Sequence, residues 1–266
     1  MGQPVAISAH KGGSDGAISG HATAVTYETY KDAIGSGAEY VEFDIRRTQD
    51  NVLVVYHDEH AGDSGPLVKD LPYEQLCEVL GCAAPRVEDV MRLLGGKAIG
   101  HLDLKEVGYE AEVIDLALET FGPGNFVATS LEDASILTIK EDFPQVTAAL
   151  SLGRDLAEVS RTKRASVRYS ELFPLRRIRA CRADWVAVNY KLAHWGVLKL
   201  CSQHGIGAMV WTVDADNLID RFLTDERVNV LITNRPKYAV CRREQLARAR
   251  VPATAATSCG AHEELT

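Results

Sequence analysis

The chain is predicted to be an α/β protein, a single-domain distorted (β/α)8 barrel of the TIM type, and two patterns predict it. Short apolar runs recur between segments of helical period, and most of those runs are apolar almost throughout rather than alternating. Strands of that kind are buried on both faces, the condition of a parallel sheet wrapped by helices. At 266 residues the chain has the length of one such barrel.

In order, the strand candidates are VAISAH (5–10), YVEFDI (40–45), VLVVYH (52–57), AIGHLDLK (98–105), FVATS (126–130), VTAALSL (146–152), WVAVN (185–189) and AMVWTV (208–213). Amphipathic stretches such as TYETYKDAIGSG, VEDVMRLLGG, YEAEVIDLALETFG, DASILTIKEDF and HWGVLKLCSQHG lie between most of them, each closed by Gly or a turn. Two features disturb the count of eight. The link from Ile45 to Val52 is too short for a helix, and VNVLITN (228–234) is a ninth strand candidate. An open doubly wound sheet is the other closure that absorbs them. The barrel is assigned to residues 1–241. Residues 242–266 are read as a helix end and a flexible tail, the last ten residues loose.

The composition is that of a soluble globular protein, 46% hydrophobic and 25% charged. The formal net charge of −8 supplies no basic field for a nucleic-acid backbone or an anionic membrane, so nucleic acid is not an expected partner. No apolar stretch reaches the ~18 residues of a membrane span, and MGQPVAISAHKGG does not read as a secretory signal. A cytoplasmic location is expected, and the six scattered cysteines (77, 82, 181, 201, 241, 259) are expected to be reduced thiols. No CxxC pair suggests zinc.

The chemistry sits at strand ends. Side chains alternate along a strand, so Glu42 and Asp44 point the same way, with Cα atoms roughly 7 Å apart. The same rule aligns His101, Asp103 and Lys105 in IGHLDLK. Like charges buried that close need a cation between them, and hard oxygen ligands on rigid strands suit Mg²⁺ or Ca²⁺. Adding Asp103 makes a three-carboxylate site. The bland alternative pairs Glu42 with Arg46 or Lys105, but His10, His57, Asp103 and Lys105 also end strands, and a barrel gathers strand ends on its active face. His10 and His57 then form an acid/base pair. Lys11 and Lys105 are candidates for holding phosphate oxygens, and the glycines of HKGGSDG either admit an anion to the backbone or simply turn the chain. His21, His60, His194 and His204 read as surface or packing residues.

AHKGGS, VEFDIRRTQDNVLVVYHDE and IGHLDLKE together resemble the glycerophosphodiester phosphodiesterase family, whose barrel carries an HRG, an ExD, an HD and an acidic-x-Lys strand. PRVEDVMRLLGG, VAVNYKLAHWGVLKLCSQHGI and VWTVDADN…VLITNRP are similar to its later segments, so the resemblance spans residues 5 to about 240. It implies a TIM-type barrel that cleaves a phosphodiester with a divalent metal. His10 and His57 take the acid/base roles, and Glu42, Asp44 and Asp103 the metal. Lys11, Lys105, Trp211 and Asn189 take the phosphate and substrate. The chain departs from the pattern in three places. Lys11 stands for the usual Arg, a point charge for a bidentate fork; Ala24 falls where an ENT glutamate is expected; and Asp103 replaces Glu. The last two are similar to the sphingomyelinase D branch, which forms a cyclic phosphate, whereas HDE and VWTV stay closer to the hydrolases.

Three chemistries therefore fit: hydrolysis of a phosphoester, including one derived from lipid; a lyase or cyclase reaction on a cyclising or diphosphate substrate behind walls such as Trp185, Trp195 and Trp211; and phosphate binding without turnover.

Overall fold

The structure, a computed structural model, describes residues 3–13, 26–62, 64–157 and 159–249. His21, Ala24, Cys259 and the last ten residues of the tail lie outside the described residues.

Among the described residues there are nine strands: β1 (Ala6–Ala9), β2 (Tyr40–Arg47), β3 (Leu53–Val55), β4 (Ile99–Leu104), β5 (Phe126–Ser130), β6 (Ala148–Leu152), β7 (Trp185–Asn189), β8 (Gly207–Trp211) and β9 (Val230–Thr233). Eight of them pair in parallel in the order β1-β9-β8-β7-β6-β5-β4-β2, and a β1–β2 pairing closes the ring. The barrel is confirmed and the open sheet excluded.

The count of eight needs one correction. Strand β3, from VLVVYH, is not a barrel stave: it pairs antiparallel with β2, Ile45 opposite Val55. The turn between them, with Thr48 N–H bonded to Val52 O, is too short for the crossover that a parallel neighbour requires. VLIT in β9 is the eighth stave instead, pairing with β8 and β1. Apolarity could not rank the two, since both are short apolar runs; the short Ile45–Val52 link was the sign in the sequence.

Helices α1 (Tyr27–Ile34), α2 (Tyr73–Leu80), α3 (Val87–Leu94), α4 (Glu110–Phe121), α5 (Asp133–Asp142), α6 (Arg161–Leu172), α7 (Leu175–Cys181), α8 (Tyr190–Leu192), α9 (Leu198–Gln203), α10 (Asp216–Leu223) and α11 (Pro236–Ala249) cover the outside. Their apolar stripes join the outward side chains of the strands in one buried core: Val90, Met91 and Leu94 of α3 and Ile114 and Ala117 of α4, with Phe43, Ile45, Leu102 and Leu104. Helix α11 runs unbroken across position 241. It is pinned by Arg243, which grips Glu39 at 2.7 Å and donates to Val5 O at 2.9 Å. Cys77, Cys82, Cys181, Cys201 and Cys241 are all free. Among the described residues no helix is long and apolar enough to cross a membrane.

Inside the ring the side chains obey the two-residue period. Val127, Ala149, Ala187, Met209, Val230 and Ile232 form a small inner cluster, with Trp185 and Trp211 packed against it. Their in-register neighbours toward the strand C-termini are the polar groups of the site. Barrels of this kind are usually filled by bulky branched residues. Here β6 and β7 contribute Ala149, Ser151 and Ala187, which leaves one half of the barrel mouth open.

Candidate active site

Strand alternation places Glu42 and Asp44 of β2 and Asp103 of β4 on the inner wall, with Asp44 directly beside Asp103 in register. One carboxylate oxygen of each lies within 4.8 Å of the other two, with Glu42 and Asp44 buried. Lys105, the residue after β4, reaches back so that its ammonium meets Asp44 Oδ1 at 2.7 Å and Asp103 Oδ2 at 2.5 Å. Thr129 Oγ1 donates to the other Asp103 oxygen at 2.6 Å. The alternative pairing of Glu42 with Arg46 or Lys105 is not what forms. Arg46 instead bonds Glu106 and donates twice to the carbonyl of His57, at 2.9 and 3.1 Å.

Three carboxylates face one ammonium, and the pKa shifts register the imbalance. Burial, and then Asp44 and Asp103, push Glu42 well above the usual carboxylate range. Burial alone would raise Asp44 too, but Lys105 outweighs it and holds that carboxyl far below its ordinary value. Lys105 is raised, Asp103 and Asp44 overcoming its own burial. The cluster is thus two negative charges in excess with all its carboxylates ionised, and its donors are hard oxygens. That set fits a divalent cation of the Mg²⁺ or Ca²⁺ kind.

Two imidazoles flank the acids. His10 follows β1, and its Nδ1 lies 2.8 Å from Asn234 Oδ1. The Asn234 amide cannot be reversed, because its nitrogen donates to Asp214 Oδ2 at 2.8 Å and its backbone N–H to Asp214 Oδ1 at 2.9 Å. An amide oxygen only accepts, so the His10 proton sits on Nδ1 and Nε2 is left bare. His57 follows β3, and its Nδ1 is 2.6 Å from Asp58 Oδ1, which assigns the same tautomer. Burial lowers both, His10 to about 4 with Lys11 adding to the effect. A third histidine, His101, lies below the acids between Ser8 Oγ (2.9 Å) and Thr129 Oγ1 (3.2 Å), and burial pulls it down to about 4. It props Thr129 and, through it, Asp103.

His10, Glu42, Asp44, His57, Asp103, Lys105, Asn189 and Trp211 all line one cavity of about 990 Å³. Trp211 is fixed by its indole N–H donating to Ala187 O at 2.9 Å, and Asn189 by accepting from Lys191 N–H at 3.1 Å. The Lys11 side chain is not among the lining groups. Its backbone, held at φ 51°, donates its N–H to Glu42 Oε2 at 2.5 Å. Gly13, at φ 54°, has no room for a side chain, since a Cβ there would meet Pro236 at 2.6 Å. The glycines thus shape a tight turn against α11. Trp185 begins β7, at the opposite end of the strand from Asn189, and does not line the cavity; Trp195 lines it but is 79% exposed. His60 and His204 bond locally to the Gly65 and Leu200 carbonyls, and His194 meets Arg221 of α10.

Several site residues were not read from the sequence. Asn234 is two positions beyond the inward Ile232, so extending the strand alternation would have found it. Asp214, Thr129 and Arg46 act through partners more than ten residues away, which no local pattern reveals. Arg154 and Arg168 also line the cavity, on its far side, tied to Glu132 and to the buried Glu171.

A closed parallel barrel with an acid cluster and two imidazoles at its C-terminal mouth has the layout of a barrel enzyme's active face. The chain belongs to the glycerophosphoryl diester phosphodiesterase family, whose family model matches residues 10–238, and it is a phosphoric diester hydrolase. YhdW of Bacillus subtilis (strain 168) is 22% identical over 251 residues, covering 88% of this chain and 96% of that protein. A glycerophosphodiester phosphodiesterase from Parabacteroides distasonis ATCC 8503 superposes with a TM-score of 0.71 at 19% identity, covering 93% of this chain and all of the other. An Oleispira antarctica phosphodiesterase, solved in complex with the product sn-glycerol-3-phosphate, superposes at 0.67 with 15% identity, covering 91% and 99%.

Proposed function

We propose that the protein hydrolyses a small, lipid-derived phosphodiester in the cytoplasm, with Glu42, Asp44 and Asp103 holding a Mg²⁺ or Ca²⁺ ion and His10 and His57 moving the protons. The observation that carries this reading is the charge balance, three carboxylates against Lys105, beside two imidazoles whose Nε2 atoms are free. A bound divalent ion supplies Lewis-acid polarisation and charge neutralisation at the phosphate.

Lys105 contributes a fixed positive charge beside the same phosphate oxygens while keeping Asp44 and Asp103 ionised. The two histidines differ in the group behind them. His10 is backed by a neutral amide and sits at about 4, so it is unprotonated at neutral pH and serves as the base that takes the proton from the attacking hydroxyl or water. His57 is lowered by burial too, but Asp44 and the Asp58 carboxylate behind its ring favour an imidazolium, and it serves as the acid toward the leaving oxygen. Arg46, gripping the His57 carbonyl, positions that ring. Asn189 and Trp211 face the organic part of the substrate. The cavity is at the upper end of the range for small-molecule sites, roughly 300–1,000 Å³. Its open half beside Leu131, Leu156, Leu172 and Leu192 accommodates an apolar group as well as a headgroup. The five cysteines among the described residues are free, which supports a reducing compartment.

The test is to incubate the protein with Mg²⁺ and a panel of glycerophosphodiesters, lysophospholipids and prenyl diphosphates, identifying products by phosphorus NMR and mass spectrometry. Release of glycerol phosphate or a lysophosphatidic acid is expected. A cyclic phosphate would move the assignment to internal transfer, pyrophosphate to a lyase or cyclase, and binding without any product to a phosphate-binding relative.

A further inference from the structure

Six large hydrophobic side chains are exposed among the described residues, and three of them, Tyr169 (66%), Phe173 (59%) and Trp195 (79%), sit together at the mouth of the cavity. The Tyr169 and Phe173 rings lie 4.9 Å apart. Phe173 and Trp195 share a shallow groove with Leu172, Gly196, Lys199 and Leu200, and Leu172 and Trp195 also line the catalytic cavity. The apolar surface is therefore continuous from the rim to the site. Trp195 is carried by a π-helical turn, Ala193–Val197, in which Gly196 takes φ 106°, so the backbone is bent where the indole is presented to solvent.

The charge around these rings is cationic, although the whole chain carries −8. Residues 161–182 hold eight Lys and Arg against the single acid Glu171, a clustering that a whole-chain average conceals. Lys191 lines the cavity and Lys199 the groove, both exposed and without a carboxylate partner among the described residues. Arg161 lies seven residues before the cavity-lining Arg168, on the same face of α6. Arg154 and Arg168 are already neutralised by Glu132 and Glu171, and Asp155 is the one opposing acid in the cavity wall beyond the metal-site carboxylates.

Exposed Trp, Tyr and Phe with flanking Lys and Arg match a phospholipid headgroup layer, where the rings enter the boundary and the cations meet lipid phosphates. We propose that the rim of Tyr169, Phe173 and Trp195 docks on an anionic phospholipid surface and turns the cavity mouth toward the lipid. Docking stands apart from the reaction proposed above and is measured without turnover.

The full chain is sedimented with vesicles of phosphatidylcholine alone and of an equimolar mixture with phosphatidylglycerol. Partition onto the mixed vesicles should be stronger on the order of 10-fold, from the two or three unpaired cations, and should fall at high salt. Tyr169→Ser with Phe173→Ser should abolish binding to both vesicle types, and Lys199→Glu should remove the preference for the anionic one. An unchanged thermal midpoint shows that each variant is folded. No partition by the wild-type chain, or equal partition by the double variant, overturns the proposal. So does a dimer in sedimentation velocity that the double variant dissolves, which would give the rim to a second copy.

Discussion

Asn234 holds His10 by its amide oxygen at 2.8 Å while its own nitrogen is anchored 2.8 Å from Asp214, so a carboxylate two hydrogen bonds away dictates which imidazole nitrogen is free. Asn234→Ala removes that restraint without touching the carboxylates. We expect kcat to fall about 10²-fold with KM within a factor of a few, the size of a misplaced general base. The exchange Asp214→Asn with Asn234→Asp keeps an acceptor toward His10 and a donor behind it, and should recover part of the loss. Steady-state kinetics on any substrate from the panel decide it, and wild-type kcat in Asn234→Ala would remove His10 from the role of base.

Lys105 is the cation that balances the cluster. Lys105→Ala leaves two buried carboxylates and the half-buried Asp103 facing one another, and breaking a buried ion pair costs roughly 3–5 kcal/mol. The variant should unfold at lower denaturant without divalent ions and recover when Mg²⁺ or Ca²⁺ is added, while turnover stays low. Urea unfolding with and without the metal checks this, and insensitivity to the metal would count against the three-carboxylate site.

The raised Glu42 gives metal binding a direction in pH. Burial, Asp44 and Asp103 favour its protonated form, so below its pKa a proton competes with the cation, and above it the carboxylate is available. Affinity should therefore climb with pH, by about tenfold per unit while Glu42 is protonated. Glu42→Gln should flatten the dependence and weaken binding. Calorimetric titration at several pH values is the measurement, and a flat wild-type profile would contradict the assignment.

Gly153 follows β6 at φ 120°, and a Cβ there would lie 2.4 Å from Cβ of Asn189. Its N–H and that of Arg154 both donate to the buried Glu171 at 2.8 Å, which ties the open side of the cavity to α6. Gly153→Ala should cost about 2 kcal/mol or more by strain and overpacking, and raise KM by displacing Asn189. Denaturant midpoints and KM together test it.

Glu42 and Asp44 on one face of β2, Asp103 of β4 with Lys105 just beyond it, and the histidines ending two apolar runs were legible because strand alternation is a local rule that survives folding. The barrel was legible for the same reason, being a repetition of local βα units. Apolarity could not say that VLVVYH folds back antiparallel while VLIT becomes a stave, because both are equally apolar; the short Ile45–Val52 link, which leaves no room for a parallel crossover, was the one local sign. Nor could local pattern show that Lys105 bridges Asp44 and Asp103, that Asn234 and Asp214 set the His10 tautomer, or that Leu172 joins the aromatic rim to the cavity. Those depend on groups brought within a few ångströms from far along the chain. The sequence by itself determined which side chains face inward; the closed tertiary structure decided which of them meet, because burial and pairing are properties of the assembled barrel.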